Sequence, residues 1–393
     1  MNRIYAELGV RPVINAAGTL TRLSGTRIDP AVMAAMAEAA SSLVPIDQLQ
    51  AAVGRRIAAL ASAEAALVTS GAAAGLTLAA AACLCRFDPA RMDRLPDTSG
   101  MPAEIVIARS HRNGYDHALR AAGARLVEVG LAERTRDPQA WEIDAAIGPA
   151  TVAVAYSVDF SPLDLREVIE VAHARDVPVI VDAAAALPPR ANLRRFVEWG
   201  ADLVTFSGGK AIRGPQASGI LCGRRELVAS AALQMWDLDV LPALWSPPEE
   251  LVPAAVVARG VPNHGIGRAM KVGKEQIVGL WVALERFLAE DEAAQCARLA
   301  EVAHRIVARL GPIVGIEVGL VDDPSRWPLV RLDVRPPCRA GSAVELARKL
   351  EAGQPPVYLV TGHAAQGRLA IDPFCLEEAE IDPLIHAVRQ AAG

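Results

Sequence analysis

From residue 49 to residue 222 two hydrophobic patterns alternate along the chain. Short apolar-rich runs at 65–69, 104–108, 125–129, 151–155, 177–181, 203–206 and 219–222 predict buried strands. Between them, stretches with apolar positions three and four apart predict helices over 49–61, 72–85, 115–122, 165–175 and 193–199, with Gly123 ending the third. Residues 87–100, with Asp88-Pro and Pro96-Asp-Thr-Ser-Gly, read as a polar loop. Strands separated by helices at this spacing predict an α/β fold, with a mostly parallel seven-stranded sheet covered on both faces.

The pattern changes after residue 240. A proline-containing linker is expected over 241–262, and a long helix over 274–299. Strands near 316–318 and 329–334 and helices at 343–351 and 377–389 then suit a small C-terminal α+β domain. The expected organisation is an N-terminal arm over 1–48, a large domain over 49–262, and a small domain with its linking helix over 263–393. No internal repeat is found.

Composition adds exclusions. With 52% hydrophobic and 22% charged residues the chain is an ordinary globular one. A formal charge of −5 argues against nucleic acid as a partner, since phosphate binding needs a basic surface. Residues 65–85 carry no charge, yet they are rich in Ala, Gly, Ser and Thr, and Thr69-Ser70-Gly71 reads as a turn. No membrane span is therefore expected. The cysteines at 83, 85, 222, 296, 338 and 375 lack metal-site spacing, and the N-terminus lacks a signal-peptide pattern. A cytoplasmic protein is the expectation.

Chemistry concentrates where predicted strands end, which is where open α/β sheets bind ligands. Asp182 ends Val179-Ile-Val-Asp182, and Lys210 follows the next strand after Ser207-Gly-Gly. The pair suits pyridoxal 5'-phosphate (PLP), with the lysine amine forming a Schiff base and the aspartate pairing with the pyridinium nitrogen. Ser207-Gly-Gly-Lys210 also matches the Ser-x-x-Lys of hydrolases, with Ser207 as nucleophile. That motif should open a helix. Ser70, Gly71 and Ala72 stand between a strand and a helix, where backbone N–H groups would cradle a phosphate; Ser207 can add a hydroxyl. Helix capping accounts for Ser70 equally well, and for Asp182 it stays open although the spacing to Lys210 weakens it. His111 follows the 104–108 strand and can lie over the cofactor ring; Asp159 follows the 151–155 strand. Arg112 and Arg368 suit substrate carboxylates.

Together these residues resemble the fold-type I PLP-dependent enzymes, and within them the selenocysteine synthase (L-seryl-tRNA selenium transferase)-like family. Val13-Ile-Asn-Ala-Ala-Gly18, Ala63-Glu-Ala-Ala-Leu-Val68 with the following Ser-Gly-Ala-Ala, Arg125–Gly130 and Met270-Lys-Val-Gly-Lys-Glu275 carry the resemblance, which spans nearly the whole chain. It implies Lys210 as the Schiff-base lysine, Asp182 as the pyridinium partner and His111 as the ring-stacking residue. It also puts Arg268 near the active site or a neighbouring subunit's phosphate, and implies a homodimer or higher homo-oligomer with shared active sites. Only about a dozen residues precede Ile14-Asn15, and there is no basic surplus to hold tRNA. The resemblance is thus to the D-glucosaminate-6-phosphate ammonia-lyase type rather than to tRNA-dependent enzymes. The implied activity is α,β-elimination from a 2-amino-3-hydroxy acid, giving a 2-keto acid and ammonia. Racemase, aldolase and aminotransferase chemistry share the same site.

Overall fold

The computed structural model describes residues 3–131, 136–158, 163–322 and 326–393; Asp159 lies outside them. Contacts gather the chain into two compact units, one of residues 28–288 and one of residues 1–27 with 289–393. The first strand, β1 (Ile14–Ala16), belongs to the smaller unit.

The large unit is built on β2 (Ala65–Thr69), β3 (Glu104–Ala108), β4 (Arg125–Val129), β5 (Thr151–Ser157), β6 (Val179–Asp182), β7 (Leu203–Ser207) and β8 (Gly219–Gly223). They form one sheet in the order β2-β8-β7-β6-β5-β3-β4. The five strands from β4 to β7 are mutually parallel, and β8 runs antiparallel to both of its neighbours. The predicted α/β fold with a mostly parallel seven-stranded sheet is therefore present. Both faces are covered: Val179, Val181, Leu203 and Val204 are completely buried. Each such side chain contributes roughly 1.5–3 kcal/mol by leaving water.

The uncharged stretch after β2 is the helix Ala72–Cys85, buried from Gly75 to Cys85. It packs between the sheet and a second helix, Arg225–Met235. Gly75 permits this approach, because a Cβ there would meet the Thr205 hydroxyl at 2.4 Å. No described helix is long and apolar enough to cross a membrane. At the far end of the sheet the buried Asp202 accepts the Val179 N–H at 2.7 Å and pairs with His173 and Arg224. It thereby ties the starts of β6 and β7 together.

The small unit contains β9 (Ile316–Val321), β10 (Leu329–Val334), β11 (Val357–Leu359) and β12 (Arg368–Ile371). An antiparallel sheet runs β12-β10-β9, while β1 pairs in parallel with β11. Helices Glu292–Leu310, Ala343–Glu351 and Glu378–Ala392 supply Ile306, Leu346 and Leu384 to its core.

Several elements differ from expectation. Residues 1–27 fold with the C-terminal unit, and residues 28–48 include a helix, Pro30–Ala40, in the large unit. The expected 274–299 helix is two, Lys274–Ala289 and Glu292–Leu310. Asp291 begins the second by accepting the Ala294 N–H at 3.0 Å. The loop over 87–100 holds a helical turn, Pro89–Arg94, capped by Asp88.

Candidate active site

The carboxyl ends of the central strands form one row. Asp182 of β6 pairs in register with Ser157 of β5 and Thr205 of β7. Ser207 of β7 pairs with Gly219 of β8, and Gly219 with Thr69 of β2. Sequence-distant residues thus meet on one edge because parallel strands end together there.

Lys210 follows β7 in a loop closed by backbone bonds from Gly208 N to Ser218 O and from Gly214 N to Gly208 O, each 2.9 Å. A Cβ on Gly208 would lie 2.2 Å from the Ser218 hydroxyl, and one on Gly209 2.6 Å from Gln216 Cα. The two glycines therefore serve the closure of the lysine's own loop. Ser207 ends a strand and no helix follows it, so the Ser-x-x-Lys hydrolase geometry is absent.

Asp182 is half-buried, and its Oδ1 accepts the Ala184 N–H at 3.0 Å. The next helix is Asn192–Glu198, with Ala191 at its N-cap, so Asp182 caps no helix. It lines a small cavity together with His111, Tyr156, Ser157 and Ile180. Within the large unit the structure thus brings Asp182 and His111 to one cavity and sets Lys210 in the loop that follows the neighbouring strand.

His111 closes the short helical turn after β3 and is 1% exposed. Its ring meets Tyr156 edge-on at 4.5 Å, and its Nδ1 accepts the Ser157 N–H at 3.4 Å. Burial pushes its pKa down to about 4, so the ring is neutral at pH 7. With Nδ1 accepting, the proton resides on Nε2, which has no hydrogen-bond partner among the described residues. Tyr156 donates its hydroxyl to Leu163 O at 2.6 Å, and burial pushes its pKa up to about 12.

At the other end of the row, Ser70 neither caps the helix nor keeps its proton for a phosphate. Its hydroxyl donates to Met270 O at 2.9 Å. Gly71 stands at the N-cap with φ +130°, and no side chain caps the helix Ala72–Cys85. A Cβ on Gly71 would meet nothing within 4 Å, whereas one on Gly219 would lie 2.6 Å from Gly71 C and 2.8 Å from Ala72 N. The helix start is supported from below and open above. N–H groups at a helix start and the positive end of a helix dipole favour an anion.

The arginines stand apart. Arg112 pairs with both Asp116 and Glu128. Burial raises the Asp116 carboxyl, but Arg112 and Arg120 outweigh it and hold it below its usual range. Arg268 binds Asp237 at 2.6 Å. Arg368 belongs to the small unit, where its Nε meets Asp333 at 2.9 Å. Sequence reasoning missed Ser157, Tyr156 and Thr205; their position at strand ends was the available signal.

The donor set suits PLP: an amine and a carboxylate on adjacent strand ends, a buried neutral imidazole, and an open helix start. The family model for L-seryl-tRNA selenium transferase matches residues 13–238. The chain belongs to this family. A D-glucosaminate-6-phosphate ammonia lyase from Salmonella typhimurium is 33% identical over 99% of this chain and 98% of its own length. A 5'-C-glycyluridine monooxygenase-decarboxylase from a Streptomyces species is 34% identical over 95% and 88%. An L-seryl-tRNA(Sec) selenium transferase from Nitratidesulfovibrio vulgaris is 26% identical over 76% of this chain and 65% of its own. A solved D-glucosaminate-6-phosphate ammonia-lyase superposes with a TM-score of 0.80 at 32% identity, covering 100% of this chain and 99% of the other. An ammonia lyase is among these relatives, which bears out the expectation of an enzyme of lyase type.

Proposed function

We propose that this member of the L-seryl-tRNA selenium transferase family is a PLP-dependent ammonia-lyase acting on a 2-amino-3-hydroxy acid, with Lys210 as the residue that holds the cofactor. The observation that carries the reading is the placement of Asp182 and Lys210 at the same end of adjacent parallel strands, beside an uncapped helix start. The full-length similarity to an ammonia lyase supports the reaction class.

When bound, PLP supplies an electron sink for charge developing at the substrate Cα. The chain's own residues divide the rest. Asp182 would keep the pyridinium nitrogen protonated, and the Gly71–Ala72 backbone would receive the phosphate. Lys210 Nζ would take the Cα proton and return a proton to the departing hydroxyl, serving as both base and acid. His111, neutral and buried beneath, would present an uncharged ring and keep water from the floor of the site. Net reaction removes one water and adds one, giving a 2-keto acid and ammonia. Arg368 binding the α-carboxylate, a homodimer and a cytoplasmic setting belong to the same proposal.

Borohydride reduction in the presence of PLP, followed by peptide mass spectrometry, tests the cofactor site; the mark should fall on Lys210 and vanish in Lys210→Ala. A screen of 2-amino-3-hydroxy acids, with and without phosphate, should release ammonia and keto acid in equal amounts. The Streptomyces relative's name favours a second reading, oxygen-dependent decarboxylation. Oxygen uptake with carbon dioxide release and no ammonia would select it. Racemised, cleaved or aminotransferred products would select the remaining alternatives.

A further inference from the structure

A cavity of about 500 Å³ lies wholly within the small unit, between the N-terminal segment and β11. Arg11, Arg22 and Arg27 line it, and among the described residues no carboxylate does. Arg27 is tied to Cys375 O and Glu380. Arg11 and Arg22 have no ion pair among the described residues. The Arg22 guanidinium is held 5.3 Å over the Tyr358 ring, and Tyr358 is fixed opposite Asn15 in the β1–β11 pairing. Asn15 in turn closes the following turn, accepting the Ala17 N–H and donating to Gly18 O. Arg22 therefore extends over a rigid wall.

Two guanidinium groups without counter-ions at one cavity favour a dianion, and arginine's planar fork matches phosphate oxygens. The volume exceeds what an inorganic ion fills, and Tyr5, Tyr358 and Leu23 offer faces for an organic body. Burial pushes the Cys375 thiol up to about 12, so the cavity carries no reactive nucleophile. We propose that this cavity binds a phosphate monoester, gripped by Arg11 and Arg22. The proposal does not rest on the reading of Lys210.

The test is calorimetric titration of the full chain, loaded with PLP and then desalted, so that any cofactor phosphate site is filled and no free PLP, itself a phosphate monoester, competes. Glucose 6-phosphate and inorganic phosphate should bind, and glucose should not. Arg22→Gln or Arg11→Gln should weaken glucose 6-phosphate binding by ~10-fold or more, equivalent to about 1.4 kcal/mol, and Lys210→Ala should leave it unchanged. Both arginines are exposed, and an unaltered melting temperature confirms that the variants fold. If the phosphate belongs to the substrate, Arg22→Gln raises KM for phosphorylated substrates alone. If it belongs to an effector, glucose 6-phosphate alters the rate on unphosphorylated ones, and Arg22→Gln abolishes that effect. No phosphate binding, equal affinity in the arginine variants, or loss in Lys210→Ala would overturn the proposal.

Discussion

Acidification should unload a specific amount of stability through His111. The ring is 1% exposed, with Nδ1 accepting a backbone N–H and Nε2 unpartnered among the described residues, so a second proton would meet no acceptor there. Its pKa falls from 6.5 to about 4 on folding because burial penalises the charged form. Between those values the unfolded chain binds a proton that the folded chain refuses. Stability is therefore complete above pH 6.5 and drains as pH falls toward about 4. At 1.36 kcal/mol per pKa unit, the whole loss is about 3 kcal/mol. Other groups titrate over the same range, so the quantity to measure is the difference between wild type and His111→Gln. Urea unfolding at pH 7, 6, 5 and 4, followed by circular dichroism, should give a difference that changes by about 3 kcal/mol, with wild type losing more. Histidine resonances should show one ring that does not titrate above pH 5. A His111 that titrates near 6.5, or a difference flat with pH, would refute the reasoning.

Three further outcomes follow from packing and burial. Gly219→Ala pushes a methyl against Gly71 C and Ala72 N, so it should cost about 1–3 kcal/mol of stability and weaken PLP affinity measured by titration. Asp202→Ala strips an acceptor from Val179 N–H, His173 and Arg224 at the opposite end of the sheet. It should cost about 2–4 kcal/mol in chemical unfolding while PLP labelling of Lys210 persists. Burial pushes the thiols of Cys83, Cys85, Cys222 and Cys375 up to about 12, whereas Cys296 is half-buried on a helix. Iodoacetamide at pH 8 should mark Cys296 first, read by peptide mass spectrometry; early labelling of Cys222 would contradict the packing.

The sheet was legible because each strand is a short buried apolar run, and burial on both faces leaves that signature. Asp182 and Lys210 were legible for the same reason, since a polar residue ending such a run stands at the binding edge. Asp88-Pro89 was misread as a loop although it is a helix start, with an N-cap aspartate and a proline in the first turn. The break before Glu292 hid in a continuous helical pattern, with only the Asp291 cap to mark it. Pairing of β1 with β11 joins residues more than three hundred positions apart, and no local pattern encodes that. Ser70 followed a contact of the same kind: its partner is Met270 O, reachable only once both segments are folded.

The antiparallel strand β8 has a kinetic side. Because it turns back beside β7, residues 208–218 span neighbouring strands as a hairpin connection, cross-linked at Gly208. These bonds resist a lid-like swing of the backbone under Lys210. Segment motion on the microsecond-to-millisecond scale is thereby disfavoured in this loop. Slow conformational steps, as distinct from chemistry at the amine, should then arise in other parts of the chain. Insertions between Ser207 and Gly219 would shift the amine relative to Asp182 even where they leave the sheet intact.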